Sequence, residues 1–212
     1  MTSESPRRMR ADAERNVERI LRAARETFAA SGPDAPLDEI ARRAGVGIAT
    51  LYRRFSDRDE LVRAAIEQSV AEMVSPATEQ ALDDEDPLRG LTTLLNAAMS
   101  VAARERNTLA AAKDFRAATG EISDRLFGTA ALLTRRGQAA GLIRADLVPG
   151  DVATIMGMIT SALWTTNPDD DGWRRYVVLA LDALRPEGAS PLPPARPLPR
   201  SRSGWRWPLP TD

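Results

Sequence analysis

Apolar side chains recur every three to four residues along most of this chain, which is the spacing of one face of an α-helix. The first such stripe runs from Val17 to Phe28 within a predicted helix at 12–30. Gly32 and Pro33 end that helix, because glycine suits the left-handed position after a helix and proline cannot continue it. No stretch shows sustained alternation of apolar and polar residues, so no sheet is predicted.

The same spacing predicts further helices, separated by glycine and proline. They are expected at 37–44, 48–54, 57–74, 87–104, 107–118, 121–140, 149–166 and 169–184. The predicted fold class is therefore all-α, with about nine helices.

Charge is distributed unevenly along the chain, although the net charge is only −1. Residues 1–63 carry a net charge of +2, residues 64–184 carry −6 and residues 185–212 carry +3. A basic N-terminal part beside an acidic middle is typical of a DNA-binding head on a separate body.

Polar segments flank the predicted helices. Residues 1–11 contain three arginines and are expected to form a flexible basic arm that can touch phosphates. Residues 185–212 hold 8 prolines, which predicts a disordered Pro/Arg-rich tail. A solvated tail is the plainest interpretation, and contact with DNA, a membrane or a partner protein is the alternative.

Composition excludes several classes of function. The chain has no cysteine and no histidine, which excludes disulfides, thiol catalysis, His-based zinc sites and Ser-His-Asp chemistry. The acidic runs at 83–86 and 169–171 lack the spacing and glycine of a calcium loop, so neither a metal nor a cofactor is expected. The N-terminus has no apolar segment of a secretory signal, and no run approaches the ~18–20 apolar residues of a membrane helix. We therefore expect a cytoplasmic protein that is not an enzyme and does not insert into a membrane.

The segment at 37–61, LDEIARRAGVGIATLYRRFSDRDEL, predicts a helix-turn-helix. Such a motif needs two short helices, a turn that often contains glycine, and small residues where the helices touch. Ala41 and Gly45 supply the small residues, and Ile40, Val46 and Leu51 supply the buried wedge. The side chains left outside are Arg42, Arg43, Gly47, Ile48, Ala49, Thr50, Tyr52, Arg53 and Arg54.

These outside residues suit different parts of a DNA duplex. In the usual docking the second helix enters the major groove by its N-terminus, so residues 47–50 would meet base edges. Ile48 and Ala49 offer only apolar contact, for instance to a thymine methyl group, whereas Tyr52 and the arginines suit phosphates. The plainer interpretation is an ordinary helical hairpin with a solvated basic face. A helical protein-interaction module, or less favourably an enzyme, is the alternative function.

The same segment resembles the signature of the TetR family of bacterial transcriptional repressors. The matching residues are Ile40, Ala41, Ala44, Gly45, Val46, Thr50, Leu51, Tyr52, Phe55, Asp57, Arg58 and Leu61. The resemblance is clear over residues 14–66. Several positions depart from the family pattern. Pro36 replaces a frequent phosphate-binding threonine, Asp38 places an acid where a donor is frequent, and Gly47 replaces a Ser/Thr cap. Ile48 and Ala49 make the groove-facing end unusually apolar.

The resemblance implies an N-terminal three-helix DNA-binding domain at 12–56 and a larger helical domain at 57–184 that binds a ligand and dimerises. By position, Thr50, Tyr52 and Arg54 would contact DNA, and Arg58 would contact a phosphate. A homodimer joined by the last two helices would bind a near-palindromic double-stranded operator and be released by a small, apolar ligand. The bulky candidates for the ligand pocket, each of which could equally be plain core, are Met73, Met99, Phe115, Phe127, Met156 and Trp164.

Overall fold

The computed structural model describes residues 6–113, 115–165 and 171–195, without the side chains of 6–12, 115–118 and 149. The described residues form helices and no strands, as the apolar spacing predicts. The helices are α1 Pro6–Ser31, α2 Leu37–Ala44, α3 Ile48–Arg54, α4 Arg58–Asp83, α5 Pro87–Arg104, α6 Arg106–Ala110, α7 Phe115–Ala139, α8 Pro149–Ala162 and α9 Trp173–Ala183. None of these helices is both long enough and apolar enough to cross a membrane.

The chain divides into two compact units, here called the head and the body. The head comprises residues up to Ser69 together with Glu105–Gly120. Its core is built where the apolar stripes of its helices meet, and α1 packs against both α2 and α6. Its fully or nearly fully buried side chains include Ile20, Phe28, Ile40, Leu51, Leu61 and Val62.

The body comprises Val70–Arg104 and the residues from Glu121 onward. Helices α5, α8 and α9 pack against one another, with Trp173 only 2% exposed in their core. Gly90 lets the start of α5 approach the end of α4, since a Cβ at this position would lie 2.4 Å from the carbonyl oxygen of Ala81. Arg136 closes that end of α4 by donating to the carbonyl oxygens of Leu82 and Asp84, both at 2.8 Å.

The predicted start of α1 and end of α4 are wrong. α1 begins at Pro6 rather than at residue 12, so residues 6–11 of the predicted arm are helical, and residues 1–5 lie outside the described part of the chain. Proline is tolerated at a first helical position and the arginines and alanines that follow favour helix. α4 continues past Val74 to Asp83 with Pro76 inside it. The lost backbone bond is outweighed because Val74 and Ala81, on either side of the proline, are buried.

Several later helix bounds also differ from the prediction. α6 is a short helix of 5 residues, and α7 runs from Phe115 to Ala139 with Gly120 inside it. A single glycine in a helix costs only about 1 kcal/mol, so Gly120 does not end this one.

Residues 185–195 have no helix or strand, but their backbone is held against the body. Arg144 forms a two-bond ion pair with Asp146, at 2.7 and 2.9 Å, and also donates to the carbonyl oxygen of Ser190. Asp146 in turn accepts the backbone N–H of Leu192 at 3.0 Å. The predicted disordered tail is thus anchored as far as Leu192, and residues 196–212 lie outside the described part of the chain.

Candidate nucleic-acid interface

The turn between α2 and α3 depends on Gly45. This residue has φ 68° and ψ 33°, a left-handed conformation that glycine adopts without strain. The N–H of Gly45 donates to Arg42 at 3.1 Å and the N–H of Val46 donates to Ala41 at 3.0 Å, which satisfies the last carbonyls of α2. The predicted helix-turn-helix, including its helix bounds, is confirmed.

Buried side chains fix the angle between the two helices. Ile40 and Leu51 are fully buried, and Phe55 is 5% exposed just beyond α3. Val46, predicted to drop into this core, is only half-buried. Val46 therefore lies at the edge of the buried contact between α2 and α3, and Ile40 and Leu51 form its centre.

The first turn of α3 presents an apolar, exposed surface. Gly47 precedes the helix with extended backbone and no side-chain cap, and its carbonyl accepts the N–H of Thr50 at 2.9 Å. Ile48 is 36% exposed, Ala49 is exposed, and Thr50 is half-buried. At this end of the helix Thr50 has the only side chain that can form a hydrogen bond.

Positive charge flanks that apolar surface. Arg42, Arg53 and Arg54 are exposed and form no ion pair with another described residue. Arg43 lies 3.8 Å from the Glu26 carboxylate in an exposed pair, which is worth little in water. Tyr52 is also exposed, at 52%. Nine of the ten sequence-predicted DNA contacts thus lie on α2, α3 or the turn between them, eight of them exposed and Thr50 half-buried.

Arg58, the tenth predicted contact, is held by its own head. Its guanidinium donates to the carbonyl oxygens of Ala35, at 2.9 Å, and Pro33. It also lies over the ring of Phe28, 5.1 Å from the ring centre. The structure thus places Arg58 at the loop between α1 and α2 and not among the exposed arginines.

Asp57 caps the start of α4. Its carboxylate accepts the N–H of Glu60 at 2.8 Å. Glu60 reaches back to accept the backbone N–H and the hydroxyl of Ser56, at 2.6 and 2.7 Å. These two bonds lower the pKa of Glu60 because they stabilise its charged form.

A buried polar cluster in the head has no signal in the local sequence. Glu105, 3% exposed, accepts the hydroxyls of Ser69 at 2.6 Å and Thr108 at 2.9 Å. Arg25 donates to the Ser69 hydroxyl at 2.5 Å, and its guanidinium lies 3.7 Å from the Glu105 carboxylate. The cluster thereby joins α1, α4 and the start of α6. Sequence inspection missed it because its partners lie up to 80 residues apart.

The predicted pocket residues of the body are divided between its core and its surface. Met99 and Met156 are buried in the core, and Phe127 packs against it. Met73 and Trp164 are half-buried, and the Phe115 side chain lies outside the described residues. An open cavity of about 280 Å³ lies elsewhere and is lined by Arg144, Leu147, Asp151, Thr154, Ile155, Met158, Ala183, Leu184 and Leu192.

Some of the apolar side chains of α8 and α9 are exposed on the surface. Ile159, Val177 and Leu181 are buried in the body, but other side chains on the same helices are exposed. The exposed ones are Met158 at 60%, Tyr176 at 41%, Val178 at 57% and Leu179 at 53%.

The first acidic run pairs with arginine. Asp84 accepts two bonds from Arg89, at 2.7 and 2.6 Å, and this contact lowers the pKa of the carboxyl group. Among the described residues no group of three or more carboxylates is arranged to hold a metal ion. Asp169 and Asp170 of the second run lie outside those residues.

Comparisons with known proteins agree with this geometry. The model of the family "Bacterial regulatory proteins, tetR family" matches residues 20–65. The HTH-type transcriptional regulator TtgW of Pseudomonas putida is 43% identical over 61 residues. That match covers 28% of this chain and 46% of TtgW, so the chain spans less than half the length of this curated relative.

Crystal structures of other proteins, among them those of two regulators, match over most of the chain. A TetR transcription regulatory protein from Mycobacterium vanbaalenii is 31% identical, with 84% of this chain and 99% of that chain covered and a TM-score of 0.59. The TetR transcriptional regulator SCO0520 from Streptomyces coelicolor is 28% identical, with 81% and 99% covered and a TM-score of 0.61. The relatives are transcription regulators, and the all-helical fold with an N-terminal helix-turn-helix is shared with them.

Proposed function

Because the chain belongs to the TetR family of bacterial regulatory proteins, we propose that it represses transcription as a homodimer bound to a near-palindromic operator. A small, apolar ligand bound in the body releases it, and the protein acts in the cytoplasm. The observation that carries this proposal is the exposed face of α3, where an apolar tip adjoins exposed arginines.

Base recognition falls to the tip of α3. Residues 47–50 enter the major groove first, and Ile48 and Ala49 fit the methyl group of thymine, the one apolar group on a base edge there. Thr50 adds one hydroxyl. The choice of sequence therefore depends on few contacts.

Phosphate binding supplies most of the affinity. Arg42, Arg53 and Arg54 are exposed cations beside the tip that no described carboxylate pairs with, and Arg43 is held only by a weak surface pair. Such groups release counterions from DNA, so binding weakens steeply with salt. Tyr52 contributes a further donor to the backbone.

The dimer forms through α8 and α9. Their exposed side chains, Met158, Tyr176, Val178 and Leu179, supply the apolar surface that a four-helix interface with a second copy would cover. A two-fold axis repeats the recognition helix, which is why the operator is near-palindromic.

The ligand is small and mostly apolar. Phe127 packs against the body's core, Met73 and Trp164 are half-buried, and methionines adapt to varied shapes. Met99 and Met156, which are buried in the core of the body, complete the proposed pocket, and Phe115 belongs to the head. Ligand binding releases DNA by favouring a body conformation in which the two heads no longer fit one operator.

Selection from a random-sequence DNA duplex pool tests the proposal directly. We expect recovery of two inverted half-sites, protection of both in a footprint, and a dimer by light scattering. Arg54→Ala should weaken binding and lower its salt dependence, and Tyr52→Phe should weaken it slightly. Arg135→Ala, at an exposed arginine of α7, is the charge-matched control and should change nothing. Failure to recover any salt-sensitive, sequence-specific binding refutes the proposal.

A further inference from the structure

We propose that Arg58 positions the DNA-reading helices from inside the head and does not bind a DNA phosphate. It clamps the loop between α1 and α2 to the start of α4. The proposal deepens the function proposed above, on which its DNA-binding readouts rest.

The contacts of Arg58 are those of a clamp. Its guanidinium donates to the carbonyl oxygens of Pro33 and Ala35, 25 and 23 residues away in the chain. Its planar face lies over the fully buried ring of Phe28 on α1. One side chain of α4 thus holds the end of the loop and the helix before it.

The loop has few other bonds that fix it. Gly32 turns the chain with φ 84°, and the N–H of Ala35 donates to its carbonyl at 3.3 Å, which is a long bond. Pro36 precedes α2 without any side-chain cap. The carbonyl groups of Pro33 and Ala35 therefore depend on Arg58 for a strong, charge-assisted hydrogen bond.

Charge around Arg58 argues against a phosphate contact. The residue lies in the first turn of α4 among three carboxylates, those of Asp57, Asp59 and Glu60. Those carboxylates would repel an anionic phosphate that approached this turn. A cation at a helix N-terminus is also unfavourable unless other groups hold it, as the loop carbonyls and the aromatic ring do here.

The clamp bears on DNA binding through α2. This helix begins at Leu37, directly after the clamped loop, and leads through the Gly45 turn into α3. A shift of the loop moves the start of α2 and, with it, the tip of α3. Recognition is sensitive to such shifts because productive contacts tolerate only small displacements.

The test compares Arg58→Ala and Arg58→Lys with Arg54→Ala in the full-length protein. Binding to the selected operator duplex is measured over a range of salt concentrations, and backbone hydrogen exchange is measured over residues 33–40. Lysine keeps the positive charge but loses the planar fork that reaches two carbonyls. We expect both Arg58 variants to bind about tenfold more weakly, the equivalent of one hydrogen bond to a charged group. Their salt dependence should stay unchanged while exchange at 33–40 rises.

The control should behave oppositely. Arg54→Ala should lower the slope of log affinity against log salt by about 0.9 for each phosphate lost, with unchanged exchange at 33–40. A lower slope in Arg58→Ala overturns the proposal, as does wild-type affinity in Arg58→Lys or unchanged exchange at 33–40 in either variant. If Arg58→Ala fails to fold, Arg58→Lys decides alone. If the wild-type protein binds no duplex, the proposed function fails and the exchange measurement still decides the clamp.

Discussion

Replacement of Glu105 should destabilise the head more than any exposed substitution can. In Glu105→Ala the buried hydroxyls of Ser69 and Thr108 lose their acceptor, and Arg25 loses its carboxylate. Removal of one partner from a buried ion pair costs about 3–5 kcal/mol. Because the Arg25 side chain keeps 13% of its surface exposed, water compensates part of that loss. We expect a decrease of about 3 kcal/mol in the free energy of unfolding of the head.

Two conservative variants divide this effect into its parts. Glu105→Gln retains an acceptor but loses the charge, which should cost about 1–3 kcal/mol. Ser69→Ala removes the hydroxyl that links Arg25 to Glu105 and should cost a similar amount. Arg25, Ser69 and Glu105 belong to one hydrogen-bonded network. The double variant Glu105→Gln/Ser69→Ala should therefore lose less stability than the sum of the losses in the two single variants.

Hydrogen exchange of the α1 amides in increasing urea is the suitable assay. Trp164 and Trp173 both belong to the body, so their fluorescence serves as an internal control that should not change. A loss below about 1 kcal/mol in Glu105→Ala would refute the reasoning, because leaving the buried hydroxyls of Ser69 and Thr108 without this acceptor should cost at least that much. An equal loss of stability in the body would show that head and body unfold as one cooperative unit.

Three further changes test other parts of the structure. Ile48→Ala should leave stability within about 0.5 kcal/mol, since the residue is on the surface, but weaken operator binding about tenfold. Replacing the contacted thymine with uracil, which lacks the methyl group, should weaken operator binding by the wild-type protein equally and leave binding by Ile48→Ala unchanged. If the losses from the two changes add, the methyl contact is refuted. Gly90→Ala should lower the melting temperature of the body, because the added Cβ meets the backbone of Ala81; an unchanged temperature would contradict that close approach. Arg144 holds the pKa of Asp146 well below its usual range. The contact of Asp146 with Arg144 and Leu192 therefore stabilises the folded chain at pH values above the unfolded pKa of Asp146, and it is lost only in strong acid. Proteolysis near Leu192 should therefore be slow at mildly acidic pH and fast at all pH values in Asp146→Asn, and equal rates would refute the anchor.

The helix-turn-helix could be predicted from sequence because its determinants are local. Gly45 marks the turn, and the bounds of α2 and α3 follow from an apolar spacing that one packing face explains. Fold class and helix number followed from the same spacing over the rest of the chain. The likeness to known regulators then identified the family without any tertiary information.

Most of the errors arose because tertiary packing, or the small cost of a single residue, overrides a local signal. Pro76 and Gly120 were predicted to end helices, yet α4 and α7 continue through them. Arg58 matched a position in a motif, but its role depends on a loop more than 20 residues earlier in the chain. Glu105 could not be found at all, because nothing near it in sequence predicts that Arg25 is its neighbour.

The inclusion of residues 105–120 in the head affects how regulators of this kind can be recombined. A chimera that joins only the first 69 residues to a foreign body would bring Ser69 and Arg25 without Glu105. Its helix-turn-helix could be intact while α1 and α4 lose the buried group that joins them. Exchange of operator specificity between such proteins should therefore transplant both segments, or confine itself to the exposed residues of α3.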